Sequence, residues 1–422
     1  MNRTTRSWHW LALAAMVSLA PLGVGCDISP EPEEEFQVNG VLSQATIDTT
    51  TTDHIRPAVS PDGTRILFIT DAFAGGKNAA TPAGDYVMVD MPGPGEIPPL
   101  VANVRENPGF VRFNLGQIPN DSGILFNPFE SIKGEAVWTP DGQGFIAVIH
   151  NDDGNERLYQ FDVGGEVAPG QIGVQNPRLI DDIDFASVGN RNSYHYLSPA
   201  ISPDGEWVAY ARYYFRAGDD VAEIPTVAEY MAIHAYNLST GQVVRVTNGS
   251  TLEQDPTWSP DGQQIIFTVQ NGEVGTRDLM RVNFNAGQDA DIRDWISWED
   301  GGQDAPFTDG RVRLTTTAGT VDWKLPVGSF DATWMRDGRV VFVSTRRATG
   351  VSERVRNIWV MNPDGTDQQL IYFTRWDESF PGTANYSGAS SDAAGLIVFS
   401  TRNNRSGDFL DQKQDIWVLR GF

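Results

Sequence analysis

Along most of this chain, short apolar runs are broken at intervals by Ser/Thr-Pro-Asp-Gly. Residues 254–269 show the pattern best. The extended stretch Gln254-Asp255-Pro256-Thr257-Trp258 ends in Ser259-Pro260-Asp261-Gly262, and Ile265-Ile266-Phe267 follows at once. Proline presets φ for a turn, aspartate can bond its own backbone, and glycine takes the positive φ that a tight reversal needs. The stretch therefore reads as a β-hairpin. It recurs at Ser60-Pro61-Asp62-Gly63, Thr139-Pro140-Asp141-Gly142 and Ser202-Pro203-Asp204-Gly205, with weaker copies at Arg336-Asp337-Gly338 and Ser391-Asp392.

Further apolar runs follow each hairpin. Residues 85–89, 158–163, 230–236, 279–284, 357–361 and 415–419 read as third strands, and 243–247, 312–315 and 370–374 as fourth strands. The sixth repeat ends after its third strand, while 38–47 is an unassigned strand ahead of the first hairpin. Four-stranded units repeated around an axis make a β-propeller, and the ring closes if the N-terminal strand supplies the missing outer strand. The expected fold is all-β: a single propeller of six four-stranded blades, closed by an N-terminal strand. Consecutive turn aspartates lie 55 to 79 residues apart, more than the ~40–45 of a minimal blade, so every blade carries insertions. Seven blades is the alternative, with 110–113 and 124–126 as the candidate strands of a degenerate one.

In such a blade the strand 1–2 and 3–4 turns share one face, and the strand 2–3 loops and interblade links share the other. The first face is held by tight turns. On the second, 70–84, 211–229 and 345–356 lengthen strand 2–3 loops, and 101–133, 181–196, 316–330 and 375–387 lengthen links. The exception is 285–311, an acidic insertion between third and fourth strands. Long loops on a rigid scaffold are where binding surfaces form. The elaborated face, with the channel mouth at its centre, is the expected working surface.

The 422 residues carry a formal net charge of −24. A polyanion repels phosphate backbones, which argues against nucleic-acid binding. Arg3 and Arg6 precede a short apolar run at 8–20, the layout of an export signal, and the run is shorter than the ~20 residues of a spanning helix. Cys26 is the sole cysteine, so an internal disulfide does not explain it. Residues 27–35, with Pro30, Pro32 and Glu33-Glu34-Glu35, read as a disordered tether. The expected organisation is a signal segment at 1–25, a tether at 26–36 and the propeller at 37–422.

Leu22-Gly23-Val24-Gly25-Cys26 resembles the lipobox of bacterial lipoproteins, in which a diacylglycerol is attached to the cysteine before cleavage. The family's leucine usually stands three residues before the cysteine; here it stands four before. The resemblance implies lipidation at Cys26 and a membrane-anchored envelope protein facing the periplasm or the cell surface. The repeat itself, Pro-x-Trp-Ser-Pro-Asp-Gly-x-x-Ile-x-Phe with a third strand of the Ile-Trp-Val-Met-Asn type and a closing Leu-Thr, resembles the TolB-type (WD40-like) propeller repeat over roughly residues 54–419. That resemblance is specific to a fold and not to an activity, since function sits on sites grafted onto folds.

No nucleophile elbow, zincin, EF-hand or P-loop motif is present. His54 and Glu253 lie eight residues before a turn aspartate, and His195 nine before. Equivalent positions in different blades converge near the axis, so these three are the expected channel-mouth residues. Two imidazoles and a carboxylate suit a divalent transition metal. Oligogalacturonate lyases resemble this propeller class and use a histidine-rich metal site there, which implies an alternative function as a metal-dependent polysaccharide lyase or other carbohydrate-active enzyme. No complete ligand set is visible, however, and the main expectation is a channel lined by polar residues with no cofactor.

Trp138, Trp258 and Trp334 each lie three residues before a turn aspartate, and such regular placement points to packing between blades. Arg212-Tyr213-Tyr214-Phe215-Arg216 begins a long loop on the elaborated face. Arginine and aromatic clusters are favoured at binding hot spots, so this is the expected partner-binding segment; a second strand running on with one buried face is the other reading. The expected function is a lipid-anchored, monomeric, non-enzymatic scaffold that binds an envelope protein or peptide.

Overall fold

The computed structural model describes residues 40–46, 54–70, 85–96, 111–115, 118–119, 125–126, 133–150, 156–181, 192–216, 230–249, 251–271, 276–287, 310–317, 327–345, 357–372, 389–390, 396–402 and 414–421. Within them each Ser/Thr-Pro-Asp-Gly forms the same hydrogen-bonded reversal. Ser60 Oγ donates to Asp62 Oδ1 at 2.6 Å, and that oxygen also accepts from the Thr64 amide at 3.1 Å. Gly63, at φ 71°, donates its amide to the Ser60 carbonyl at 2.8 Å. The Thr139–Asp141, Ser202–Asp204 and Ser259–Asp261 pairs repeat the first contact at 2.6, 2.5 and 2.5 Å.

A carboxylate accepts such bonds more strongly than a carboxylic acid does. The Ser60 hydroxyl holds the Asp62 carboxyl down to about 2, and Thr139 and Ser259 lower Asp141 and Asp261 in the same way. A depressed carboxyl contributes stability that is complete above its unfolded value of 3.8 and is lost as pH falls through the folded value near 2. An Asp62→Asn/Asp141→Asn/Asp261→Asn protein is therefore expected to lose less stability than wild type on acidification across that window. Parallel melting curves for the two proteins would refute the assignment.

The hairpins extend into meanders, here numbered repeats I to VI. Repeat I is His54–Val59, Arg65–Thr70, Asp85–Asp90 and Val111–Asn114; repeat II is Lys133–Trp138, Gly144–His150, Glu156–Ala168 and Gln171–Ile180. Repeat III is Asn192–Ile201, Trp207–Arg216, Tyr230–Asn237 and Val243–Arg245; repeat IV is Leu252–Trp258, Gln264–Asn271, Thr276–Asn283 and Val312–Arg313. Repeat V is Val327–Trp334, Val340–Ser344, Asn357–Met361 and Gln369–Tyr372; repeat VI is Ala389–Ser390, Leu396–Arg402 and Gln414–Arg420.

The strand Val41–Gln44 completes repeat VI, antiparallel to Gln414–Arg420 with Val41 opposite Arg420. Its chemistry is that of a fourth strand. Thr46 Oγ accepts from the Ile416 amide at 2.9 Å, as Thr247 accepts from Ile233 at 2.8 Å and Thr315 from Leu279 at 2.9 Å. Asp415, buried at the head of the third strand, accepts from Gln44 and Thr46 at 3.1 Å each. Asp278 meets Arg313 of its own fourth strand at 2.7 Å in the same position. The expected N-terminal closure is present.

Two candidate strands of a seventh blade have other places. Val111–Asn114 is the fourth strand of repeat I and also runs parallel to 171–173, and Leu125–Phe126 forms a small hairpin with Ile118–Pro119. The length of this gap is partly an outer strand that lacked a turn signal.

Consecutive repeats bury their side chains against each other. Leu67, Ile69, Phe145, Ala147 and Phe161 share a cluster between repeats I and II, and Ile146, Val148, Val208 and Tyr210 share one between II and III. Further clusters join III to IV, IV to V and V to VI. Ile66, Phe68, Val398 and Val418 join VI back to I. Neighbours such as Leu67 and Phe68 thus enter different cores, which is why middle strands are continuous apolar runs without alternation. Trp138, Trp258 and Trp334 are buried in these clusters, as their spacing predicts.

A candidate binding site on the propeller axis

The innermost strands carry a bulge at one fixed place. Register shifts fall between Ile55 and Ala58, Lys133 and Ala136, Leu197 and Ala200, Gln254 and Thr257, and Phe330 and Thr333. A bulge leaves an extra residue unpaired and re-aims its side chain. In four repeats that residue has a positive φ without being glycine: Arg56 at 56°, Ser198 at 52°, Asp255 at 54° and Asp331 at 50°. Each such conformation costs about 1 kcal/mol or more, and each lies six residues before its turn aspartate, as does Glu135 in repeat II.

These five side chains line one axial cavity of about 760 Å³. Its walls are the prolines and alanines that follow the bulges, including Pro57, Ala136, Pro199 and Pro256, with Trp138, Trp258 and Trp334 below them. The lining runs from the bulges down to the turn residues Pro61, Pro140, Pro203 and Pro260, so the cavity occupies the tight-turn half of the axis. At that end Arg336 donates to the Pro61 carbonyl at 3.2 Å, linking the turn of repeat V to that of repeat I.

Charge in the cavity is mixed. Arg56 forms an ion pair with Glu135 of the next repeat. Burial pushes the guanidinium down from its ordinary value, while Asp331 and Asp255 across the axis pull it up. Ser198 Oγ donates to Asp255 Oδ1 at 2.8 Å. Sequence reasoning missed this ring, although its signal is visible: a polar residue before Pro or Ala, at constant distance from each turn aspartate.

Of the three residues expected at the channel mouth, Glu253 alone has a described side chain. Glu253 is fully buried and does not line the cavity. Its carboxylate accepts from Thr247 Oγ, from Thr251 Oγ at 3.2 Å, from the Gly249 amide at 3.3 Å and from Arg311 Nη1 at 2.7 Å. It clamps the link between repeats III and IV to the end of the acidic insertion, because a buried carboxylate needs several donors. The channel-mouth placement of Glu253 is therefore corrected. His54 pairs with Thr70 and His195 with Tyr213 along the strands, and their side chains fall outside the described residues. Tyr196, not His195, shares the register position of His54 and Glu253. Among the described residues, no three His, Cys, Asp or Glu are placed to hold a metal ion.

The aromatic run at 212–216 follows the second of its two readings: it is the end of the strand Trp207–Arg216, with Tyr213 opposite Met231 and Tyr214 opposite Tyr230. Arg212 is an interior residue, 3% exposed, with its guanidinium 3.7 Å from Asp181 and over the Tyr196 ring. Asp181 in turn accepts from Tyr210 at 2.5 Å. A buried cation tied to a buried carboxylate is a packing element, which removes Arg212 from the expected contact set. The side chains of Tyr213, Tyr214, Phe215 and Arg216 fall outside the described residues, as does the whole of 1–39 with Cys26.

No family model matches the chain. It is 26% identical over 98 residues to the Tol-Pal system protein TolB of Francisella tularensis subsp. mediasiatica, a match covering 21% of this chain and 20% of that protein. The same holds for the TolB of Francisella tularensis subsp. holarctica, so the chain spans about a fifth of the length of these curated relatives. Among solved structures it is similar to TolB from Acinetobacter baumannii, at 17% identity and a TM-score of 0.44, over 85% of this chain and 64% of that one. A TolB structure from Agrobacterium tumefaciens gives 16% identity and 0.43 over 80% and 89%. A gluconolactonase from Xanthomonas campestris gives 10% and 0.42 over 94% and 99%. The repeated turn, the closing threonine of the fourth strand and the meanders they build make the described chain a β-propeller whose repeat resembles that of the TolB proteins.

Proposed function

We propose that the chain is an exported, lipid-anchored envelope propeller that works without catalysis, by holding a protein or peptide partner on its long-loop face. One observation carries this reading. Val41, where the described chain enters the ring, lies beside Arg420 and Leu396, at the tight-turn end of repeat VI. A diacylglycerol on Cys26 would be followed by a span of at most ~3.3–3.6 Å per residue leading to that end. An anchor attached through that end would leave the strand 2–3 loops at the end of the ring opposite the attachment point. Tyr213 and Tyr214 stand near the long-loop end of the strand Trp207–Arg216, and aromatic residues there suit a protein contact.

The test uses the full-length chain, solubilised in mild detergent, as bait for native envelope extract. A specific protein retained by the wild type and lost with Tyr213→Ala/Tyr214→Ala, while the melting temperature barely moves, is the expected result. Equal capture by both proteins, or none by either, would sink the reading.

A further inference from the structure

We infer that the tight-turn half of the axial channel is a binding site for an organic cation, a guanidinium or ammonium group on an apolar stem. Glu135, Asp255 and Asp331 line the cavity together with Arg56 and, at its turn end, Arg336, so the described lining carries a formal charge of −1. Glu135 Oε2 and Asp255 Oδ2 are buried and accept no hydrogen bond from the described residues. Carboxylates on the wall of a partly enclosed cavity favour a cation there, because their attraction for it is stronger than in bulk solvent. The walls favour an organic one. Prolines 57, 199 and 256 and three tryptophans supply apolar and aromatic surface, which a hydrated metal ion does not use but a guanidinium or alkylammonium does.

Arg56 shows the chemistry already in place. Its guanidinium pairs with Glu135 of the neighbouring repeat and is attracted by Asp331 and Asp255 of repeats V and IV. Two arginines thus share the cavity with three carboxylates, and one further cation would balance the lining. A volume of about 760 Å³ accommodates it, within the ~300–1,000 Å³ of small-ligand sites. The site is separate from the proposed partner surface, since it lies on the opposite half of the axis. A free small cation and the lysine or arginine side chain of a peptide share this chemistry.

Trp138, Trp258 and Trp334 line the cavity, so tryptophan fluorescence of the full chain can follow a titration, with calorimetry as the second readout. The probes are N-acetylarginine methyl ester, its neutral analogue N-acetylcitrulline methyl ester, and a blocked Ala-Arg-Ala tripeptide. Saturable binding of an arginine probe is expected, with the citrulline ester weaker by about tenfold or more, the scale of one lost charge-assisted contact. Asp255→Asn/Asp331→Asn should weaken the arginine probe by a similar factor; asparagine is chosen because it tolerates positive φ. Arg56→Asn should instead tighten binding, since it removes the competing resident cation. A stronger tripeptide identifies a partner's side chain as the source, and a stronger ester identifies a free cation. Absence of saturation with both arginine probes, or equal binding of the citrulline ester, would overturn the inference. If the double variant does not fold, Arg56→Asn decides: unchanged or weaker binding overturns it.

Discussion

A chain lacking residues 36–46 is expected to lose the closure of its ring and about 5 kcal/mol or more of stability. The deletion strips Asp415 of its Gln44 and Thr46 partners and the Ile416 amide of its Thr46 acceptor. Taking two donors from a buried carboxylate costs about 3 kcal/mol, and the ladder to Gln414–Arg420 adds to it. The newly exposed edge of that strand also becomes a template for association. Chemical denaturation would show a lower midpoint, and size exclusion would show larger species. Gln44→Ala/Thr46→Ala should reproduce part of the loss without exposing the edge. An unchanged midpoint for the deletion would mean that Val41–Gln44 is an ornament on a ring held by its other contacts.

Glu253→Ala is expected to be nearly as damaging, at about 3–5 kcal/mol, the cost of breaking a buried ion pair from one side. Arg311 would keep its charge in a site where its side chain is only 16% exposed, and the Thr247 hydroxyl would lose the carboxylate that it meets. Glu253→Gln should recover much of the loss, because an amide oxygen still accepts from Thr247 and Thr251. A carboxylate whose task was to hold a ligand at a channel mouth would behave in the opposite way, since removing it relieves strain more often than it creates it. Thermal midpoints of the two variants separate these outcomes: a wild-type midpoint for Glu253→Ala would remove the clamp described here.

Much of the fold was legible because its signals are local. Ser259, Asp261 and Gly262 bond one another within four residues, so the turn they form depends on nothing distant. The short last repeat and the spare strand at the N-terminus also announced their pairing, since an unpaired edge in a ring has one partner left. The site was less legible. His54 and Glu253 were grouped by their distance from the turns, but distance along a strand says nothing about which donors surround a side chain. Glu253 has Arg311, 58 residues away, against it. Arg212 looked like the start of a loop because nothing in its neighbours announced Asp181, 31 positions earlier.

By itself, then, the sequence determined the hairpins, the apolar middle strands and the closing strand, because turn chemistry and hydrophobic pattern act over a few residues. Only the tertiary structure decided which polar residues meet. The bulge in each innermost strand turns Arg56, Glu135, Ser198, Asp255 and Asp331 onto one cavity. Those residues are spread over 275 positions of the chain, and electrostatic interactions among them exist only once the ring has brought the repeats around a common axis.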